Sequence, residues 1–427
     1  MKQIIEKYFD RLWPLNRSLT GNGNRASLQI LSELVDLQIT EVPSGTQCFD
    51  WNVPAEWNVS SAWIKDSKGN KIVDFVDNNI HLLGYSEPFQ AKLSYDDLKS
   101  HLYTLPNQPS LIPYLTSYYK RRWGFCMTHD QFSSLDQNEE YEVFIDSSLT
   151  DNGSMTIAEA VLKGQSEKEI LLSTYICHPS LANNELSGPL VSAMIYSQLK
   201  KWKNLKYTYR FVFVPETIGS ICLLSKYGDH FKSNLLAGFV LTCIGDNGSF
   251  TYKKSRQGNS LPDRATELIL KQTEEKYIIH DFFPSGSDER QYCSPGFNLP
   301  VGSLMRTMYG KFPEYHTSGD NKSVISFEAM EQSVNKYLSV IELIERNDIY
   351  INTMPFCEPQ LGKRGLYPTL GSQKSSERFV EAMMWILNLA DGTNDLIAIA
   401  ERSKMSVIEL YPVIDKLLEQ GILIVKN

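Results

Sequence analysis

The chain of 427 residues is 42% hydrophobic and 22% charged, the balance of a soluble globular protein. It is too long for one ordinary core, so two or three domains are expected. A formal net charge of −8 speaks against a general nucleic-acid role, because phosphate binding needs a clustered positive field.

The N-terminal MKQIIEKYFDRLWPLNRSLTG carries charge at nearly every turn and has no apolar core of signal-peptide length. No stretch approaches the roughly 18 apolar residues of a membrane span, so a cytoplasmic protein without a membrane partner is expected. Seven cysteines, odd in number and without a CxxC pair, read as reduced thiols rather than a disulfide frame or a structural zinc knot. Residues 1–40 show two stretches of helical spacing separated by the turn-rich NRSLTGNGNR. From 45 to 105, short alternating runs such as SSAWIKD and KIVDFVD predict a small β-rich module nested in the chain. PSLIPYLTSYYKRRWGFCM reads as a helix feeding a strand, and YEVFIDSSL and TIAEAVLKG as strands at one side of a sheet.

Three near-continuous apolar runs follow: EILLSTYI, YRFVFVP and AGFVLTCIG. Such runs suit strands buried on both faces. Helical patterns separate them, which implies a mostly parallel sheet with helices on both sides. The expected division is an α/β domain from 1–44 and 106–351, the nested module at 45–105, a linker at 352–374 and a winged helix at 375–427. The winged helix carries five Lys/Arg against eight acids. Its presumed recognition helix, SVIELYPVIDKLLEQ, is itself acidic, so nucleic acid is an unfavourable partner and protein docking fits better.

In open α/β sheets, ligands gather beyond the C-terminal ends of the strands. The three runs end in His178, in Pro215-Glu216-Thr217 and in Gly245-Asp246-Asn247; SGSDER and PEYHTSGDN come later. Two imidazoles and an acid are a common ligand set for catalytic zinc. Cys177 reads as a core thiol, since neighbours on a strand face opposite ways.

On these motifs the chain resembles the co-catalytic zinc aminopeptidases, relatives of bacterial leucyl aminopeptidases and glutamate carboxypeptidases. His178 matches that family's first metal ligand, and ANNELSG its Asp-Asn-x-Ser-Gly segment. Glu216 matches its proton-shuttling Glu, while SDE at 287–289 and YHTSGD at 315–320 match its last two stretches. The bridging Asp falls on Asn184, with Glu185 beside it; the second Glu falls on Thr217 and the strand-end Asp on Thr242. Hydroxyls and an amide are poorer ligands than carboxylates, so one zinc is expected rather than two. The implied ligands are His178 and His316 with Asn184 or Glu185.

NRSLTGNGNR, FDWNVPAEW, PETIGS and YHTSGDN further resemble a narrower aminopeptidase-like group with a nested protease-associated-like domain and a C-terminal winged helix. Members of that group often accompany polysaccharide-biosynthesis genes. The resemblance implies a zinc-dependent hydrolase of an amide bond in a peptide, peptide-like or acylated-sugar substrate. Glu216 would be its general base, with Asp288 and Tyr315 supporting an imidazole or the oxyanion. The alternative reading is a catalytically degenerate scaffold that binds a small ligand.

Overall fold

The structure, a computed structural model, describes residues 1–366 and 374–426. It divides into two compact units, residues 1–260 with 276–337, and residues 261–275 with 338–427.

The first unit is built on an eight-stranded sheet. Its strand order is Gln38–Pro43, Ser154–Leu162, Thr208–Val214, Glu169–Tyr175, Leu235–Leu241, Val301–Met305, Phe250–Lys253 and Tyr277–His280. The four central strands run parallel. Glu169–Tyr175 and Thr208–Val214 are buried at every residue, which is why their sequences run apolar without alternation. Ser154–Leu162 pairs antiparallel with Thr208–Val214 on one side and with the edge strand Gln38–Pro43 on the other.

Helix Ser187–Leu199 packs on the three central strands from Glu169 to Leu241. It approaches so closely that a Cβ on Gly188 would lie 2.3 Å from the Leu241 carbonyl oxygen and 2.4 Å from Thr174 Oγ1. Only glycine fits there. Helix Ile218–Asn234 connects Thr208–Val214 to Leu235–Leu241.

A second, antiparallel sheet orders Lys71–Asp74, Glu56–Lys65, Glu140–Thr150 and Phe89–Ser94. YEVFIDSSL, expected at the side of the main sheet, is therefore a central strand of this smaller one. The sequence alternates in either place, and only its partners distinguish them.

The helix expected over PSLIPYLTSYY does not form. Residues 109–123 run as turns and isolated bridges, including Pro113 to Thr317, before the short strand Phe125–Cys126. Pro109 and Pro113 remove two backbone donors and disfavour helix in the residues before them.

The second unit contains a three-stranded sheet ordered Asp391–Asp395, Ile349–Asn352 and Leu423–Val425. With it go helices Lys374–Leu389, Leu396–Ser403 and Val407–Glu419. Ser406 and Glu409 form a capping box that starts the last helix. Part of the expected linker, residues 367–373, lies outside the described residues. Among the described residues no helix is long and apolar enough to cross a membrane.

Candidate metal centre

His178 follows the buried strand Glu169–Tyr175 and is 2% exposed. Its Nδ1 lies 2.7 Å from Glu185 Oε2. Arg17, also fully buried, donates from Nε to the His178 carbonyl at 3.0 Å and sits 3.5 Å from Glu185 Oε1. On the other side of the ring, Nε2 is 3.7 Å from Glu216 Oε2. The His316 ring stands 5.5 Å away, centroid to centroid. The two faces of His178 thus differ. Nδ1 is tied to a buried acid that a guanidinium also meets, while Nε2 has the Glu216 carboxylate near it, and the His316 ring stands close by.

Glu185 rides on a π-helical turn, Ala182–Leu186, whose closing bond runs from Leu186 N–H to the Leu181 carbonyl. π-turns frequently mark functional sites. Asp320, from YHTSGD, holds this turn by accepting from the Asn183 N–H at 2.7 Å and the Asn184 N–H at 2.9 Å. The same hexapeptide delivers His316 at φ 55, a left-handed conformation uncommon for a non-glycine residue. Tyr315 stacks on His316 at 4.0 Å, and Tyr114 packs edge-on against both imidazoles. Tyr114 N–H donates to the His316 carbonyl at 2.8 Å, so the non-helical 109–123 segment buttresses the site.

Glu216 leaves its strand through Pro215 and precedes Thr217, whose φ of 67 is strained for a β-branched residue. Thr217 is held there from two sides. Its N–H donates to Asp288 Oδ1 at 2.7 Å, and its hydroxyl accepts from Arg290 at 2.8 Å. The Glu216 N–H donates to Cys177 Sγ at 3.2 Å. That same sulfur lies 3.5 Å from His178 Nδ1. The expectation that Cys177 and His178 face apart is therefore corrected. Strand pairing stops at Tyr175, and alternation lapses with it.

Burial dominates the electrostatics. Burial and then Arg17 hold the His178 imidazole down to about 3, and burial and then His178 do the same for His316. Both rings are neutral at ordinary pH, each with a nitrogen lone pair to offer. Burial pushes the Glu185 carboxyl up to about 8, against the pull of Arg17. Burial and then the neighbouring Asp288 push Glu216 up to about 8, and burial raises Asp288 to about 6.

Cys177, His178 and Glu185 bring three ligand-type atoms within 4.8 Å. Arg17 stands beside that trio, and a guanidinium is a poor neighbour for a cation. The trio is better described as a hydrogen-bonded cluster that orients His178. The hydroxyl of Thr242 is committed to the Tyr175 hydroxyl and the Asn184 carbonyl, and that of Thr217 to Arg290. Asn184 Nδ2, Asp288 Oδ2 and Glu185 Oε1 are buried without a hydrogen-bond partner among the described residues. A cavity of about 290 Å3 adjoins Glu216, lined by Leu19, Trp51, Tyr118, Tyr119, Ile218 and Arg290 as well.

Of the residues singled out by sequence, the structure brings His178, Glu185, Glu216 and His316 together and sets Tyr315 against His316. Asp288 stands behind Thr217, and Asn184 beside Tyr175. The structure adds Arg17, Tyr114, Tyr175 and Asp320 to the site; Arg17 lies inside NRSLTGNGNR and Asp320 inside YHTSGD, whereas nothing in the sequence marks the two tyrosines.

Residues 6–347 match the model of a family described as a domain of unknown function, DUF4910. The chain belongs to this family. Beyond the family domain, residues 348–425 match a winged helix-turn-helix model, so the strand Ile349–Asn352 falls within that match. A Clostridium acetobutylicum protein, named as a candidate polysaccharide biosynthesis protein with an aminopeptidase-like domain, is 48% identical over 94% of this chain and 91% of its own. The crystal structure of a candidate peptidase from Clostridium acetobutylicum superposes with a TM-score of 0.93 at 44% identity, covering 100% of this chain and 96% of that one. BSAP, a zinc aminopeptidase from Bacillus subtilis, superposes with a TM-score of 0.55 at 14% identity, over 80% of this chain and 93% of that one. The family domain is an aminopeptidase fold, mixed α/β, with a winged helix after it.

Proposed function

We propose that this chain is a metal-dependent hydrolase of an amide bond in a peptide-like or acylated-sugar substrate, serving polysaccharide biosynthesis as its Clostridium relative's name suggests. The observation that carries this reading is the pairing of two neutral imidazoles, His178 buried and His316 half-buried, with the Glu216 carboxylate near Nε2 of His178. The donor set fits one divalent ion, zinc by analogy with the fold neighbours, and not two. His178 Nε2 and His316 would hold it.

Asn184 would supply the third ligand atom. The Tyr175 hydroxyl has one proton, shared between the Asn184 carbonyl at 2.8 Å and Oδ1 at 3.1 Å. Exchanging the amide's oxygen and nitrogen lets Nδ2 donate to Tyr175 and leaves the oxygen free. Glu185 orients His178 rather than binding metal, because its carboxylate is taken by Nδ1.

The bound ion would polarise the scissile carbonyl and make its water acidic. Glu216 would take the water's proton and pass it to the leaving amine. A half-buried carboxyl raised toward neutrality is suited to that exchange. Asp288 and Arg290 keep Glu216 in position through Thr217. Tyr315 fixes the plane of His316.

The test is hydrolysis of a panel of aminoacyl and acetylated-sugar amides by the wild type and by Glu216→Gln. The variant should fold and keep its metal while losing roughly 10²–10⁴-fold in rate. Unchanged activity would remove Glu216 from the mechanism, and loss of the metal would make it a ligand. Silence of the wild type across the panel favours the alternative, a ligand-binding scaffold.

A further inference from the structure

Two cysteines take no part in the centre above. Cys48 lies in the short strand Gln47–Cys48, and Cys222 in the second turn of helix Ile218–Asn234. They are 174 positions apart in sequence, yet their sulfurs stand 2.8 Å from each other. Both are buried, at 4% and 5% exposure. The thiols of Cys177, Cys243 and Cys293 keep their partners at 3.2–4.0 Å. A disulfide bond is about 2.05 Å long, so joining Cys48 to Cys222 asks the sulfurs to close by less than about 1 Å.

The pair also sits where a bond would matter. Gln47–Cys48 forms a hairpin with Trp51–Asn52. Trp51 lines the cavity beside Glu216, and Ile218, one turn before Cys222, lines it from the helix side. Tyr119 closes the gap, with its ring 5.8 Å from Trp51 and its hydroxyl donating to the Asn52 carbonyl at 3.0 Å.

We propose that Cys48 and Cys222 are a dithiol–disulfide pair, and that oxidation by a peroxide staples the Trp51 hairpin to helix Ile218–Asn234 beside the cavity. One sulfur attacks the peroxide O–O bond and becomes a sulfenic acid as the first water leaves. The second thiol then attacks that sulfur; the S–S bond forms, the S–O bond breaks and a second water departs. Each sulfur is oxidised by one electron, and the peroxide is reduced to two waters. A dithiol reductant reverses the step by exchange. Burial, with Cys48 next to it, pushes the Cys222 thiol well up, so the reaction is slow and needs sustained oxidant.

The experiment uses the full chain carrying Cys357→Ser, because Cys357 is exposed and would join two chains. Of the seven cysteines, six then remain. Thiol titration in denaturant should find six before hydrogen peroxide treatment, four after it, and six again after a dithiol reductant. Peptide mass analysis should find the Cys48 and Cys222 peptides joined, lighter by two hydrogens. The oxidised form should melt several degrees higher, since the bond closes a long loop in the unfolded chain. With Cys222→Ala, or Cys48→Ser should that variant fold better, five thiols should survive the same treatment. Six surviving thiols in the parent, a bond to another cysteine, or oxidation that stops at sulfinic acid would overturn the assignment. None of these readouts depends on the metal or on activity.

Discussion

The two units differ in how deeply their most buried ion pairs lie. The first buries ion pairs: Arg17 with Glu185 and Lys253 with Glu289 have no exposed side-chain surface, and Arg210 with Glu169 is at most one-tenth exposed. Among the described residues the second has no fully buried pair: Arg264–Asp395 is about a quarter and a fifth exposed, and its other pairs lie in solvent. Arg346–Asp415, Arg378–Glu409 and Lys416–Glu419 are all at least a third exposed on both partners. Its interior is apolar, with Leu396, Ile397, Leu410, Val413 and Leu417 fully buried. Buried pairs cost desolvation, and replacing them by apolar residues is often neutral or stabilising. A unit that retains them is holding particular groups in place. In the first unit those groups are the loops that carry His178 and Asp288.

That contrast predicts a graded series of losses. The largest follows Arg17→Met, which leaves Glu185 buried without its guanidinium; chemical denaturation should show a loss of about 3–5 kcal/mol. A loss under about 1 kcal/mol would mean the cluster carries no stored cost. Next comes Lys253→Met, with a loss of about 3 kcal/mol from the same cause. There the double variant Lys253→Met with Glu289→Met should recover part of the loss, because neither charge is then stranded. If the double variant is worse than the single, the contrast fails.

A smaller effect belongs to Arg25, which bridges Glu56 and Glu41 at the edge of solvent. The Arg25 guanidinium holds Glu56 down to about 2. A depressed carboxyl contributes stability above its unfolded value near 4.3 and loses it as pH falls toward about 2. Arg25→Gln should cost about 1 kcal/mol at pH 7, discounted for solvent screening, and the difference should shrink below about pH 4. A gap that widens in acid would contradict this sign. The smallest effect is Arg378→Ala in the second unit, whose denaturation midpoint should not move resolvably. A large shift there would show that its exposed pairs matter.

The sequence disclosed the parts of this architecture that depend on local pattern. Three uninterrupted apolar runs became the buried parallel strands, and the polar residue after each strand marked one sheet edge. Family motifs then singled out His178, Glu216 and His316. Partner identity was not local. YEVFIDSSL alternates equally well in either sheet, and the periodicity of PSLIPYLTSYY serves aromatic contacts rather than a helix. Nothing near Arg17 announces a carboxylate on a π-helical turn far along the chain. The cysteine count pointed to reduced thiols, and all seven are free; that Cys48 lies against Cys222 comes only from the fold.

The most direct test of the proposed centre is metal content by atomic spectroscopy on protein purified without chelator. Wild type and Glu216→Gln should each carry about one zinc per chain, and His178→Ala should carry none, since a ligand has been removed. Two tightly held ions in the wild type would contradict the single-site argument from Thr217 and Thr242. A wild type that takes up no metal even when zinc is supplied would contradict the metal centre itself.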